Sequence, residues 1–309
     1  MSLSPDLLQQ AMWALAIDKV TADVVDVFES QGIDVMLVKG PVIGRWLYPG
    51  EVRGYGDSDL LISPADWDRA VSTLEELGFH NYLGPLDHPR MESQAGTGFI
   101  RGHENIDLHS TLHGLDADPA VVWQMLWTRA QSQDVGGRTV RVPDRPAILM
   151  HIALHAVHHV EGKPLEDLAR AARIASLEEW QAAADLADQL DGMDAFATGI
   201  RLLSESKQLA ARLSLPDAGS WRLDLRVAQV PVAEGLNDLM SAPRAEKLRI
   251  IWRELFPNRA FMRWWMPLAR RGRVGLVASY PLRWLRLLLR LPAGCLAVYR
   301  VRLRRKSRS

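Results

Sequence analysis

The chain contains only one cysteine, Cys295, among its 309 residues. A single cysteine allows no disulfide within the chain and excludes a zinc site built from several cysteines. A protein that does not rely on disulfides suits a reducing compartment. We therefore expect a cytoplasmic location.

Long apolar runs are also missing. No uninterrupted apolar stretch approaches the roughly 20 residues that a membrane-spanning helix requires. The N-terminal residues lack the basic start and apolar centre of a signal peptide. We therefore expect neither a transmembrane segment nor a secretory leader. With 48% hydrophobic and 24% charged residues, the composition is that of a globular protein large enough for two domains.

Acidic residues are absent after Glu254, although the formal net charge of the whole chain is zero. Residues 255–309 contain fourteen Lys or Arg and no Asp or Glu. Residues 1–254 contain 23 basic and 37 acidic residues, which gives them a net charge of −14. An acidic body with a basic tail indicates a separate role for the tail.

The basic tail also contains several tryptophans and leucines. Arg283, Arg286 and Arg290 fall on one helical stripe that is surrounded by leucines. Such a helix suits an anionic membrane surface, and we place this peripheral contact within residues 263–305. It also suits nucleic acid, through phosphate contacts and base stacking. A third alternative is a structural helix docked on the acidic body with its tryptophans in the core, and the sequence leaves all three open.

The spacing of apolar residues predicts an α+β protein in three parts. Strand and helix patterns are mixed over residues 1–143, as expected for a small mixed β-sheet with flanking helices. From Pro146 onward the pattern is helical. We therefore predict an all-α helical domain over residues 144–254 and a basic C-terminal helical tail over residues 255–309.

Residues 36–62 combine a glycine turn with a pair of acids. One apolar strand ends at Lys39-Gly40, and a second begins at Asp57-Ser58-Asp59. Side chains two residues apart on a strand point to the same face, so Asp57 and Asp59 would lie side by side. Two like charges at that distance are unfavourable unless a cation lies between them, and Mg²⁺ prefers oxygen ligands of this kind.

A third aspartate lies on a later strand. The pattern of residues 104–112 places Asp107 on the polar face of a predicted strand, with Ile106 and Leu108 on the opposite face. Three carboxylates on two strands, close to a glycine turn, match the needs of nucleotidyl transfer with two metal ions.

In that chemistry the three aspartates are both metal ligands and catalytic residues. Asp57 and Asp59 would bridge two Mg²⁺ ions, for which Mn²⁺ is an alternative. Asp107 would complete the shell of one ion and take the proton of the attacking hydroxyl.

The phosphates of a nucleoside triphosphate would be held by the glycine turn. Lys39 offers an ammonium group there, and Gly40 lies where backbone N–H groups are available. Arg45 and Arg53 would add charge-assisted contacts to the same phosphates.

These motifs resemble a known family. Val38-Lys39-Gly40, the segment 53–61 and Asp107-Leu108-His109 are similar to motifs of the uncharacterised nucleotidyltransferase family, within the polymerase-β-like superfamily. The later segments LMHIALHAVHH, LEDLARAARI and LFPNRAFMRWW resemble its histidine-bearing helix, the helix after it and its C-terminal region. The resemblance implies a nucleotidyltransferase core that transfers an NMP group from an NTP to an acceptor hydroxyl of unknown identity.

Three features depart from the wider superfamily. Lys39-Gly40-Pro41 stands in place of Gly-Ser, Ser58 occupies a usually apolar position, and the spacing between Gly40 and Asp57 is long. A second hypothesis is therefore a catalytically inactive protein with the same fold. It would bind a nucleotide or a partner and dock on a membrane through its basic tail.

A histidine-rich helix follows the predicted sheet. His151, His155, His158 and His159 share one helix face, a spacing that can bind zinc, but no glutamate lies between them as in metalloprotease motifs. We expect His151 or His155 to line the cleft. We also expect His109, two residues after the third aspartate, to support the metal site.

Overall fold

The structure of the protein, a computed structural model, describes residues 5–81, 96–158, 162–203, 207–216, 232, 235–236, 239–240 and 242–306. The chain groups into two compact units, residues 1–82 with 95–218, and residues 83–94 with 219–309. The first unit contains the sheet, and the second contains the basic C-terminal helices. The three-part domain division at residues 143 and 254 stays a prediction.

The first unit is built on a mixed sheet of seven strands within the described residues. The strands are β1 (Val35–Leu37), β2 (Ser58–Ile62), β3 (His80–Asn81), β4 (Gly96–Arg101), β5 (Glu104–His109), β6 (Gln131–Val135) and β7 (Arg138–Val142). Their order across the sheet is β3-β4-β5-β2-β1-β7-β6. The pairs β2–β5 and β1–β7 are parallel and the other neighbours are antiparallel. The predicted fold class, a small mixed sheet with flanking helices, is confirmed.

Helices flank this sheet and follow it along the chain. They are α1 (Pro5–Ser30), α2 (Pro41–Leu47), α3 (Trp67–Glu76), α4 (Pro119–Thr128), α5 (Arg145–His158), α6 (Lys163–Ile174), α7 (Leu177–Gln189), α8 (Met193–Ile200) and α9 (Lys207–Arg212). The sequence predicted one helix over 194–213, whereas the structure has two helices there. The predicted helix over 219–240 lies largely outside the described residues.

The two central strands are buried on both faces. Every residue of β1 and β2 is buried, which explains their continuous apolar runs. Helix α1 packs on this part of the sheet through buried side chains that include Val24, Val25 and Phe28. Ser58 and Asp59 are the polar residues of β2, and the Ser58 hydroxyl shares a 2.7 Å hydrogen bond with the hydroxyl of Thr21 in α1. This bond satisfies a polar group at a position that is usually apolar.

Helix α5 is the centre of the helical layer. Nearly all of its residues are buried, because it packs against α6, α7 and α8. Close contact with α8 depends on Gly199, where an added Cβ would lie 2.1 Å from the carbonyl oxygen of Ala153. Helix α7 begins in a capping box, in which the Ser176 hydroxyl and the Glu179 carboxylate each accept a backbone N–H.

The second unit contains three longer helices among its described residues. They are α10 (Arg244–Leu255), α11 (Arg259–Trp265) and α12 (Gly272–Lys306). A small core forms around Phe261, Met262 and Met266, with Leu276 of α12 packed into it. Pro281 and Pro292 lie within α12. No helix among the described residues is long and apolar enough to cross a membrane.

Arg283 of α12 is fully buried in this unit. Its guanidinium donates to the backbone carbonyl and the carboxylate of Glu254, at 2.9 Å each, and lies over the ring of Trp265 at 4.9 Å. The sequence grouped Arg283 with Arg286 and Arg290 on one stripe and left open whether it meets a membrane, nucleic acid or the protein itself. The structure instead places Arg283 inside, where it holds α10 against α12.

The packing of α5 against α8 gives the first testable expectation. We expect Gly199→Ala to lower the free energy of unfolding by about 1–3 kcal/mol, because the added methyl group meets backbone that cannot rotate away. Gly44→Ala in α2 is the matched control. Its Cβ would meet the Arg53 side chain at an ordinary 3.6 Å, so we expect no loss and a gain of up to about 1 kcal/mol. Urea denaturation measures both, and equal effects would contradict the packing argument.

Candidate active site

The site begins with the parallel pairing of β2 and β5. This register places Asp59 directly opposite Asp107 on the neighbouring strand. Ile106 and Leu108 are fully buried, whereas Asp107 is only partly buried, as the predicted alternation requires. Asp57 lies one residue before β2 begins, so the predicted strand started one residue too early.

The carboxylates of Asp59 and Asp107 meet the imidazole of His109 in one small cluster. Each of these side chains offers an atom within 4.8 Å of the other two. His109 lies against β4, where Gly96 leaves room for its ring, since a Cβ there would lie 2.3 Å from Nδ1. The sequence indicated His109 only as a supporting residue. Its place opposite Gly96 depends on strand pairing that a single strand pattern does not reveal.

Asp59 is the most constrained of the three acids and is only 3% exposed. Its Oδ1 accepts a hydrogen bond from Lys39 Nζ at 2.6 Å and lies 3.2 Å from His109 Nε2. Burial alone would raise the pKa of Asp59. The positive charge of Lys39 and the contact with His109 outweigh burial and hold that pKa well below its usual range. Asp59 therefore stays ionised.

The other two acids are shifted the opposite way. Burial, together with the charges of Asp59 and Asp107, raises the pKa of Asp57 to about 6. Burial, followed by the charge of Asp59, also raises the pKa of Asp107. Asp57 lies outside the close cluster of Asp59, Asp107 and His109, but the charges of the two clustered acids still act on it. Lys39 supplies a compensating positive charge.

This donor set fits a hard divalent cation. Carboxylate oxygens are the ligands that Mg²⁺ prefers, and a cation between them would remove the repulsion that raises two of the pKa values. The histidine also permits Mn²⁺, for which imidazole and carboxylate ligands are both suitable. Among the described residues, Asp59, Asp107 and His109 form the one group of three or more metal-binding side chains this close together.

Lys39 and Gly40 lie at the turn between β1 and α2. Gly40 has a φ of +63°, a conformation that glycine adopts without strain, and the Tyr55 ring packs against the space its missing side chain leaves. The Tyr55 hydroxyl donates to Asp18 at 2.5 Å and fixes that ring. The turn therefore brings Lys39 to Asp59 on the neighbouring strand.

The two arginines predicted at the phosphates lie in other contacts in the structure. Arg53 is buried, and it donates to both carboxylate oxygens of Asp167 in α6, at 3.0 and 2.6 Å. Tyr48 donates to the same carboxylate at 2.8 Å. Arg45 is exposed and donates to the backbone carbonyl of Asp134. A phosphate-binding role for Arg45 and Arg53 stays a prediction.

A row of histidine rings extends from the acidic cluster. The ring centroid of His113 is 6.3 Å from that of His109, and His113 stacks on His158 of α5 at 4.2 Å. His151 is buried within α5, and burial, followed by the charge of Lys39, lowers its pKa to about 3. His151 is thus a neutral histidine close enough to the site for the charge of Lys39 to act on it. His159 lies outside the described residues.

A mixed sheet with acids on adjacent parallel strands is what the sequence motifs led us to expect of a nucleotidyltransferase core. The sequence profile of the uncharacterised nucleotidyltransferase family matches residues 1–206. The chain belongs to this family and is a nucleotidyltransferase enzyme.

Several solved structures are similar to part of the chain. The solution structure of the antibiotic-resistance factor ANT(2'')-Ia is 17% identical over 60% of this chain and 95% of that one, with a TM-score of 0.40. The crystal structure of ANT(2")-Ia with adenylyl-2"-tobramycin is 15% identical over 56% and 97%, with a TM-score of 0.38. The lincosamide antibiotic adenylyltransferase LnuA, with lincomycin bound, is 17% identical over 49% and 94%, with a TM-score of 0.34. At these TM-scores membership rests on the profile alone. No curated protein sequence matches the chain.

The buried pair of Arg53 and Asp167 yields a stability test. We expect Asp167→Ala to lower the free energy of unfolding by about 3–5 kcal/mol, because it leaves a buried guanidinium without a counter-charge. Arg53→Met/Asp167→Leu should recover most of that loss. Asp23→Ala removes an exposed pair with Lys19 and should change stability by at most about 1 kcal/mol. Urea denaturation measures all three, and a double variant as unstable as Asp167→Ala would contradict the argument.

The opposite pKa shifts of Asp57 and Asp59 predict opposite effects of removing their charges in metal-free protein. The raised pKa of Asp57 contributes stability that is present below the pKa of the unfolded chain and lost as pH rises through about 6. Asp57→Asn should therefore exceed wild type in stability at pH 7.5, by about 1–3 kcal/mol, and lose this advantage near pH 4.

Asp59 provides the control with the opposite sign. Its lowered pKa contributes stability that is present above the unfolded pKa and lost only as pH falls below the usual range of an aspartate. Asp59→Asn should therefore destabilise the protein at pH 7.5. Denaturation in the presence of a chelator measures both variants, and changes of the same sign at pH 7.5 would contradict the assignment of charges.

Proposed function

We propose that this protein transfers an NMP group from an NTP to an acceptor hydroxyl, and that it requires a divalent metal ion. The single observation that carries the proposal is the parallel register that sets Asp59 opposite Asp107, with Asp57 at the same end of β2. The pKa values of Asp57 and Asp107 are raised by burial and then by the neighbouring carboxylates, and a cation at this point would offset both effects.

Asp57, Asp59 and Asp107 are the residues that would hold the metal. Bound Mg²⁺, as two ions or with Mn²⁺ in its place, would neutralise phosphate charge and lower the pKa of the acceptor hydroxyl. Asp59 suits a ligand because its pKa lies well below the usual range, so it is ionised at any physiological pH.

Asp107 acts as the general base. The acceptor oxygen forms a bond to the α-phosphorus, and the bond from that phosphorus to the oxygen leading to the β-phosphorus breaks. Pyrophosphate leaves with the electron pair, and the acceptor proton passes to the Asp107 carboxylate.

Lys39 and Gly40 hold the triphosphate. The Lys39 ammonium already lies 2.6 Å from Asp59, so one positive charge serves both the acids and the phosphates beside them. Arg45 and Arg53 remain candidates for further phosphate contacts. Movement of Arg53 toward a phosphate would require a partner for Asp167, because that carboxylate is buried.

The acceptor belongs to one of several classes that carry a reactive hydroxyl group. A sugar, an aminoglycoside-like molecule, a peptide, a tRNA end and a protein side chain each fit the reaction. We propose a cytoplasmic enzyme, because ATP and the other NTPs are then available in a reducing compartment that suits a single cysteine.

The test uses each α-labelled NTP with Mg²⁺ and measures pyrophosphate release and label on protein or lysate components. We expect Asp59→Asn and Asp107→Asn to lower the rate by about 10²–10⁴-fold, because each substitution removes a metal ligand. Asp107→Asn also removes the general base. The matched control is Asp68→Asn, an exposed aspartate in α3, which should leave the rate unchanged.

Lys39 separates binding from chemistry in the same assay. Lys39→Gln should raise the KM for NTP, and Lys39→Arg should restore part of the binding because it keeps a positive charge. Wild-type activity in Asp59→Asn or Asp107→Asn would reject the proposed metal site. Equal loss in Asp68→Asn would show that the assay reports folding rather than catalysis.

A further inference from the structure

The outward side of α12 is apolar along most of its length. At 100° per residue, one side of the helix collects residues that are 46% to 84% exposed, which form the apolar outer face: Val274, Val277, Leu285, Leu288, Leu289, Leu296 and Tyr299. This face extends over about 38 Å, since each helical residue adds about 1.5 Å. Exposed apolar surface of this extent marks an interaction site rather than ordinary protein surface.

The opposite side of α12 is the one that packs. Leu276, Ser279 and Arg283 are buried against the second unit. Helix α12 thus packs through one face and leaves a second, apolar face exposed. The core of the second unit does not account for this second face.

Helix α10 adds to this apolar surface. Leu248 is 77% exposed and Trp252 is 65% exposed on one side of it. The Trp252 ring packs against the Phe256 ring, with 4.5 Å between their centroids. The Phe256 ring in turn makes an edge contact with Trp284 of α12, at 5.4 Å between centroids. Aromatic contacts thus connect the exposed side of α10 to α12.

The charge of the segment identifies the partner. All charged residues from 255 to the end are basic, and Arg270, Arg271, Arg273, Arg286 and Arg290 are exposed. A second copy of the chain would bring two such segments together and repel. Nucleic acid would find phosphates for the arginines but no partner for a row of valine and leucine side chains. An anionic lipid surface offers acyl chains to the apolar face and phosphates to the arginines.

The two prolines of α12 favour a helix that lies on the bilayer. Pro281 and Pro292 are exposed and lack an N–H, so the carbonyls of Val277 and Leu288 receive no helical hydrogen bond from them. Water and headgroups satisfy such carbonyls at the interface, whereas the hydrocarbon core does not.

We propose that the apolar outer face of α12 inserts into the interfacial layer of a membrane that contains anionic lipids, and that two exposed arginines at the N-terminal end of the helix, Arg271 and Arg273, contact the lipid phosphates. The enzyme is thereby concentrated at a lipid surface. This surface is independent of the acidic cluster, so membrane binding does not require catalysis.

Cys295 provides a direct probe, because it is exposed on the same side of α12 and is the chain's single cysteine. The full-length protein is labelled at Cys295 with an environment-sensitive dye and mixed with phosphatidylcholine vesicles, with or without phosphatidylglycerol. We expect a blue shift and protection from an aqueous quencher only with the anionic vesicles. The control Cys295→Ser/Gln181→Cys carries the dye at an exposed position of α7 in the first unit. It should bind the vesicles without a change in the emission wavelength of the dye.

Variants test the two kinds of contact by vesicle sedimentation. Leu285→Glu/Leu289→Glu should weaken binding at least about tenfold, because two leucines leave the apolar layer. Val121→Glu/Ile174→Glu changes two exposed apolar residues of the first unit, and this variant should bind the vesicles like wild type. Arg271→Gln/Arg273→Gln should weaken binding to anionic vesicles by about 25-fold, at about fivefold for each arginine.

Several outcomes would overturn the proposal. Wild-type protein that ignores both vesicle types would do so, as would equal loss in the Val121→Glu/Ile174→Glu control. A wild-type dimer that Leu285→Glu/Leu289→Glu converts to a monomer would assign the face to self-association. Displacement from vesicles by RNA, with RNA bound at α12, would assign it to nucleic acid.

Discussion

Repulsion among three carboxylates, one buried and two partly buried, is the constraint on which the site depends. Asp59 lies opposite Asp107 on the paired strands. Asp57 is close enough for the charges of both acids to help raise its pKa. The fold offsets this repulsion with Lys39, which a glycine turn brings to within 2.6 Å of Asp59. Carboxylates with strongly shifted pKa values cluster at functional sites, and the donor atoms of this cluster fit a divalent cation.

Sequence periodicity predicted the strand face on which Asp107 lies, but it did not predict the contacts around the acids. A strand repeat of two places Asp107 on the polar face, and that face is where the structure has it. The role of Asp167 was not accessible in the same way, because its partner Arg53 lies 114 residues away. Pairing over that distance depends on how α6 packs on α2, which no local pattern encodes. The break between α8 and α9 was missed for a related reason, since the apolar spacing continues through it.

The basic tail shows how composition and placement differ. Counting charges predicted an arginine stripe, yet Arg283 is enclosed between Glu254 and an aromatic ring. Arg286 and Arg290 remain exposed, and the side of the helix opposite Arg283 presents valine and leucine. Helical spacing alone assigns residues to a side of a helix but does not say which side faces solvent. Only the packing of α10 and α11 against α12 decides that.

The parallel register of β2 and β5 has a consequence for how this chain can vary. Substituting a neighbour of Asp107 changes one contact, but deleting one residue within β5 turns every later side chain to the other side of the sheet. The third acid would then point into the apolar layer that Leu108 now fills. Changes of length inside this strand are therefore far more damaging than changes of residue type. Insertions are better tolerated in the connections at either end of β5, because the number of residues there does not decide which face of the sheet a side chain points to.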